Sequence, residues 1–154
     1  ATWQEIDEVE NLWELPVERT KTGREHRVPL TTRMKEILSE AKSLSPHAEL
    51  VFSSPTTGRS LSYNTLLHVL QKRIGSEATV HGFRSSFKDW AAETTNFLNE
   101  VSEMALSHKI SNPVEAAYRR GDLLEKRRAL MNAWEDFLCN PGKNIVAVDF
   151  KSQR

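Results

Sequence analysis

Two stretches of this sequence carry apolar residues at helical spacing, and they limit what the chain can become. In "VHGFRSSFKDWAAE", residues 80–93, Phe83, Phe87, Trp90 and Ala91 form one stripe. In "DLLEKRRALMNAWEDFLCN", residues 122–140, Leu123, Leu130, Trp134 and Phe137 form another. A helix of this kind is stable chiefly when its stripe is covered, so the two stretches predict a helical core. The first stretch also poses a question. It begins with His81 and Arg84, two polar residues that share a face one turn apart. The pair is either a solvated rim or a group pointed at an anion.

The rest of the chain reads as helices with one hairpin. "NLWELPVERT" and "EHRVPL" predict two strands joined at "KTGR", whose glycine suits a turn needing positive φ. Lys21 and Arg24 then lie at the hairpin tip. From Thr31 the pattern becomes helical, with Thr32 as a cap and Met34, Ile37 and Leu38 apolar, and it should stop before Pro46. "ELVFSS" predicts a short strand, and "PTTGRS" a loop. "SYNTLLHVLQKRIG" opens on a serine cap and ends on Gly75, as a helix does. "NEVSEMALSH" is a shorter helix, and "PVEAAYRRG" another, with Pro113 in its first turn and Gly121 closing it. The expected fold class is therefore α+β, mainly helical, with helices packed around a small antiparallel hairpin or sheet. Residues 1–140 form one domain in this reading, and 141–154 a tail. In that tail Ile145, Val146, Val148 and Phe150 fit either a strand or a tether docked on a neighbouring subunit.

A chain of 154 residues can bury roughly 68–70% of its unfolded surface without disulfide or metal staples. Its single cysteine, Cys139, excludes an internal disulfide and favours a reducing compartment, the cytoplasm or a nucleoid-like setting. One cysteine and no H-x-x-x-H pair argue against a zinc site. No apolar run approaches the roughly 18 residues of a membrane span, and the first residues lack a signal-peptide pattern. The net charge is zero, from 21 basic and 21 acidic residues, but the charges are unevenly placed. Six Lys/Arg and a single acid, Glu25, lie between Arg19 and Lys35, and Lys126, Arg127 and Arg128 form a second basic run. Acids crowd the opening at Glu5, Asp7, Glu8, Glu10 and Glu14. A neutral chain can still present a basic face, and steering follows the local field.

Five polar residues fit neither core nor cap: Lys21, His81, Arg84, His108 and Tyr118. Each has a plain alternative, as a solvated lysine, a structural histidine or a rim aromatic. Together their chemistry is coherent. Lysine, arginine and two histidines around a tyrosine would make a metal-free phosphoryl-transfer site, because a phosphodiester gaining charge needs fixed cationic donors. A tyrosine hydroxyl, with an unperturbed pKa of about 10, attacks only with a base or a strongly cationic setting beside it.

"HGFR", followed at a distance by "ALSHKISNPVEAAYRR", resembles the catalytic domain of the tyrosine recombinases, in particular the integrases of phages, prophages and genomic islands. That family has a His-x-x-Arg motif, then Leu-x-His, then the nucleophilic tyrosine about ten residues on. The matching positions are His81 and Arg84, His108 and Tyr118, while "RTKTGREHRVPL" is similar to the hairpin that carries a catalytic lysine, here Lys21. The likeness covers about residues 1–138. It implies site-specific DNA recombination through a 3′-phosphotyrosyl intermediate, without cofactor or metal, on double-stranded DNA. It also implies a homotetramer on that DNA, accessory DNA-bending or directionality proteins, and a cytoplasmic, nucleoid-associated location with no membrane role. Arg24, Arg27, Arg119 and Arg120 are candidate contacts to the DNA backbone. The family's other catalytic arginine lies just upstream of a W-x-E-I-D-like segment. Here that segment is "TWQEID" at the start of the chain, so the expectation is a C-terminal fragment of a longer integrase. Such a fragment would be inert in cleavage and would act alone only as a DNA-binding or assembly module.

Overall fold

The computed structural model describes residues 1–108 and 121–140. They form an α+β fold, mainly helical, whose strands make one antiparallel sheet. Strands β1 (Ile6–Asp7), β2 (Leu12–Leu15) and β3 (His26–Pro29) lie side by side in chain order. The predicted hairpin is present, in a register that opposes Leu15 to His26 and Leu12 to Pro29. Its connection is longer than "KTGR". β2 stops at Pro16, which has no N–H to continue the ladder, and a 3-10 turn at Val17–Arg19 follows. Gly23, at φ +66°, supplies the left-handed turn expected of it. β1 was not anticipated, since two residues carry no period. It is held by a turn in which the Asp7 carboxylate accepts the N–H groups of Val9 and Glu10, both at 2.8 Å.

Helix α1 (Thr32–Leu44) is capped by Thr31, one residue before the expected position, whose hydroxyl accepts the Met34 N–H at 3.4 Å. It ends ahead of Pro46 and buries Ala41, while Ile37 stays partly exposed. "ELVFSS" makes no strand; it contributes single bridges, Leu50 to Thr2 and Ser53 to Ser60. Helix α2 (Thr65–His68) runs on as a π-type turn through Val69–Arg73 and closes at Gly75, φ +72°. Asn64, not Ser62, precedes its first turn.

Helices α3 (Gly82–Thr94), α4 (Asn99–Ala105) and α5 (Leu124–Cys139) enclose the main core of Phe87, Trp90, Ala91, Val101 and Leu130. Trp134 meets Phe87 edge-on at 5.5 Å and Trp90 at 4.9 Å between ring centroids, and Phe137 stacks on Trp134. Two expectations need correcting. Phe83 is about half exposed, so the buried stripe of α3 begins at Phe87. Arg127 belongs to no basic face: it is 1% exposed, because its guanidinium is consumed internally. It donates to the Asp122 carbonyl, to the Asp122 carboxylate at 2.6 Å and to the Arg27 carbonyl. Among the described residues, no helix is long and apolar enough to cross a membrane. The helix expected at "PVEAAYRRG", with Tyr118, Arg119 and Arg120, lies outside the described residues, as does the tail 141–154.

Candidate functional site

The C-terminal end of α4 is the point on which the polar side chains of three elements converge. A helix end leaves its last carbonyls without partners inside the helix. Here they are taken up in turn. The Leu106 N–H reaches the Ser102 carbonyl, the Ser107 N–H the Met104 carbonyl at 3.0 Å, and the His108 N–H the Glu103 carbonyl at 2.9 Å. The longer bond, together with Ser107 in the left-handed region at φ +55°, gives the reversal typical of a Schellman-type ending. His108 therefore leaves the helix at a fixed angle.

One more carbonyl is satisfied from outside. Arg84, near the start of α3, donates from Nη2 to the Leu106 carbonyl. His26, on β3, lies near the backbone of Ala105, which favours its protonated ring. The "HGFR" arginine and the "LSH" histidine are thus joined through two residues of main chain. A guanidinium fork has the planar geometry that suits phosphate oxygens. His81 occupies the position preceding α3 and is exposed, and its carbonyl accepts the Arg84 N–H at 3.0 Å. The structure therefore brings Arg84 and the His108 turn together and sets His81 at the start of the same helix.

The histidine of the turn has its own support. The Glu103 carboxylate takes His108 Nδ1 through one oxygen and Lys88 Nζ, at 2.6 Å, through the other. Lys88 lies one turn beyond Arg84 on α3 and also donates to Ser102 Oγ at 2.8 Å and to Asn99. Lys88 is the main reason that the Glu103 carboxyl lies below the usual carboxylate range; its bond to His108 adds to this and burial opposes it.

His26 faces a crowded positive environment. Burial first, and then the charges of Arg127 and Arg84, hold its imidazole below the ordinary histidine range, against the Ala105 backbone and Asp122. Next to it, Arg27 pairs with Asp122 at 2.9 Å, and the same carboxylate holds Arg127. Arg27, a candidate DNA contact, is thereby half-buried and committed to Asp122. Arg24 and Lys21 are exposed on the connection between β2 and β3, where Thr20 Oγ1 accepts the Arg24 N–H and donates to its carbonyl.

His26, Lys88, Glu103 and Asp122 were not singled out from sequence. The signals were faint but real. Lys88 is four residues after Arg84, and Glu103 is five before His108, the spacing of a helix-ending bond.

Comparison with known proteins adds a family likeness to this geometry. Prophage integrase IntA of Escherichia coli is 35% identical over 140 residues, 90% of this chain. The integrase of Enterobacteria phage P4 is 28% identical over 155 aligned residues, and prophage integrase IntZ of Escherichia coli 30% over 136. The chain is similar to phage and prophage integrases along most of its length. It spans about a third of those relatives, 34%, 35% and 33% of their lengths. No family model matches the chain, and no solved structure matches it at a significant level.

Proposed function

We propose that this chain is the catalytic part of a tyrosine-type integrase, one that moves mobile DNA by site-specific recombination. The observation that carries the reading is the bond from Arg84 to the Leu106 carbonyl, which ties the His-x-x-Arg motif to the Leu-x-His motif within one turn. The integrase likeness over 90% of the chain supports it.

In this reading the Tyr118 hydroxyl attacks the scissile phosphorus, and the bond from phosphorus to the 5′-oxygen breaks. The products are a 3′-phosphotyrosyl link and a 5′-hydroxyl. Arg84 and His108 hold the non-bridging oxygens, where charge accumulates. Lys21 protonates the leaving 5′-oxygen, and His81 assists proton transfer or phosphate binding. A 5′-hydroxyl from the partner strand then attacks the phosphotyrosyl bond and frees the tyrosine. The covalent link conserves the phosphodiester bond, so the sequence of steps needs no cofactor. Arg24, Arg119 and Arg120 contact the backbone of double-stranded DNA, which positions the protein without specifying sequence. Recombination engages a homotetramer on two duplexes, aided by accessory DNA-bending or directionality proteins, in the cytoplasm at the nucleoid. The catalytic domain is residues 1–140, and residues 141–154 dock on a neighbouring subunit.

The test is a nicked suicide duplex offered to the intact integrase. A covalent protein–DNA adduct is expected, and Tyr118→Phe abolishes it; an adduct formed by that variant overturns the assignment. A second reading is that this chain by itself is a DNA-binding or assembly module without cleavage activity; it spans about a third of the length of the relatives named above. Adduct formation by this chain alone on the suicide duplex contradicts it. Failure to bind duplex DNA even at low salt contradicts both readings.

A further inference from the structure

Glu103 grips His108 twice. Its main-chain carbonyl accepts the His108 N–H at 2.9 Å, and its carboxylate takes His108 Nδ1. The backbone bond sets where the residue leaves α4, and the side-chain bond sets how the ring is turned. The carboxylate is itself immobilised, since its other oxygen is held by Lys88 at 2.6 Å and Lys88 is anchored on Ser102 and Asn99. Two successive turns of α3 thus act on one target: Arg84 on the carbonyl of Leu106, and Lys88 on the acid that steers His108.

We propose that Glu103, braced by Lys88, is a positioning residue that fixes the tautomer and orientation of His108 so that Nε2 faces the scissile phosphate. The inference rests on the reading of His108 as a phosphate ligand. A carboxylate only accepts, so Nδ1 must carry the proton and donate to it. That leaves Nε2 as the nitrogen open to a ligand. When the ring is charged, Nε2–H donates to a non-bridging oxygen, and the adjacent carboxylate stabilises that imidazolium. A ring free to rotate would present either nitrogen, or its carbon edge.

The donor logic predicts what an isosteric change does. In Glu103→Gln, Lys88 can only donate, so it selects the amide oxygen. The amide NH₂ is then turned to His108 Nδ1, which must become an acceptor. The neutral ring switches from the Nδ1–H to the Nε2–H tautomer, although the shape of the site is unchanged.

The experiment has two arms. Nitrogen-15 NMR of the histidine ring in this chain should show His108 as Nδ1–H when neutral, and as Nε2–H in Glu103→Gln; an Nε2–H wild-type ring, or no switch, overturns the proposal. In the intact integrase, Glu103→Gln should slow adduct formation on a suicide duplex by about 10–100-fold, the usual cost of losing an orienting partner. Combined with His108→Ala it should add nothing, because both changes remove one function. If His108→Ala slows the reaction but Glu103→Gln does not, or if the two effects multiply, the positioning role is wrong and the phosphate-ligand reading survives. If His108→Ala leaves the rate unchanged, that reading fails and the inference fails with it.

Discussion

Ser107 carries a conformational cost that a single substitution can expose. It sits at φ +55°, where an L-residue is disfavoured by about 1–2 kcal/mol, and it is held there by the bonds that end α4. Glycine meets no such penalty, although it loses more entropy on folding, about 0.5–1 kcal/mol. Ser107→Gly should therefore raise the unfolding free energy by about 0.5–1 kcal/mol, seen as a higher urea midpoint at unchanged slope. A lower midpoint would mean that the serine side chain contributes more to the turn than its backbone costs. Arg84 makes the opposite point. Its planar fork serves the Leu106 carbonyl through one nitrogen, and the proposed function asks the same fork to hold a phosphate as well. Arg84→Lys leaves the charge but cannot do both, so adduct formation by the intact integrase should fall about 10²–10³-fold. A rate within threefold of wild type would show that charge alone suffices at this position.

At the scale of elements, β3 and α5 are joined by one buried clamp. Arg127 is 1% exposed and divides its guanidinium among Asp122 and the Arg27 carbonyl, while Arg27 returns to the same carboxylate. Removing the acid strands a buried cation, which costs about 3–5 kcal/mol in comparable pairs. Asp122→Ala should lose stability of that order, and Arg127→Met in the same background should recover part of it by removing the unpaired charge. If the double variant is less stable than Asp122→Ala alone, the carbonyl of Arg27 matters more than the carboxylate. This clamp also marks where sequence reading ran out. The helices α3, α4 and α5 were legible because their apolar residues repeat at helical spacing and glycine or proline punctuates them. The hairpin was legible from its alternation. Arg127, in "EKRRAL", was indistinguishable from its neighbours, the exposed Lys126 and the partly buried Arg128, because burial by a partner 100 residues away leaves no local trace. β1 was too short to show a period. Phe83 misled for a related reason, since the spacing of a stripe does not say where the covering helices stop. The candidate site divided in the same way. Arg84 and His108 were visible as motif residues, while Glu103, Lys88 and His26 acquire meaning only once α3, α4 and β3 are packed together.

Across the whole molecule, His26 is where the sheet meets all three core helices. It lies against the end of α4 at Ala105 and feels Arg84 on α3, Arg127 on α5 and Asp122 just before α5. Burial and the two cations favour its neutral form in the folded chain, whereas the unfolded chain takes up a proton near the ordinary value of 6.5. Below that pH the unfolded state binds more protons than the folded one, so unfolding free energy rises with pH across this window. Stability should thus be fully present above about pH 6.5 and decline as the pH falls toward the lowered folded value. The depressed carboxylates act separately, lower down. For Glu5, burial is the largest single influence and opposes the shift, but the hydrogen bonds from Trp13, Thr2 and Arg19 and the charge of Arg19 together outweigh it; for Glu103 the Lys88 bond leads. Their contribution is lost only as the pH falls below their ordinary 4.5. Urea titrations between pH 7.5 and 3.5 should therefore show two descending phases. His26→Gln should remove the upper phase and leave the lower. Persistence of the upper phase in that variant would assign it to another histidine. The same proton would add a third positive charge between Arg84 and Arg127, a repulsion that the contact with Ala105 and the charge of Asp122 offset only in part. If the proposed function holds, adduct formation should decline over the pH range in which the domain loses stability, and His26→Gln should flatten both curves together.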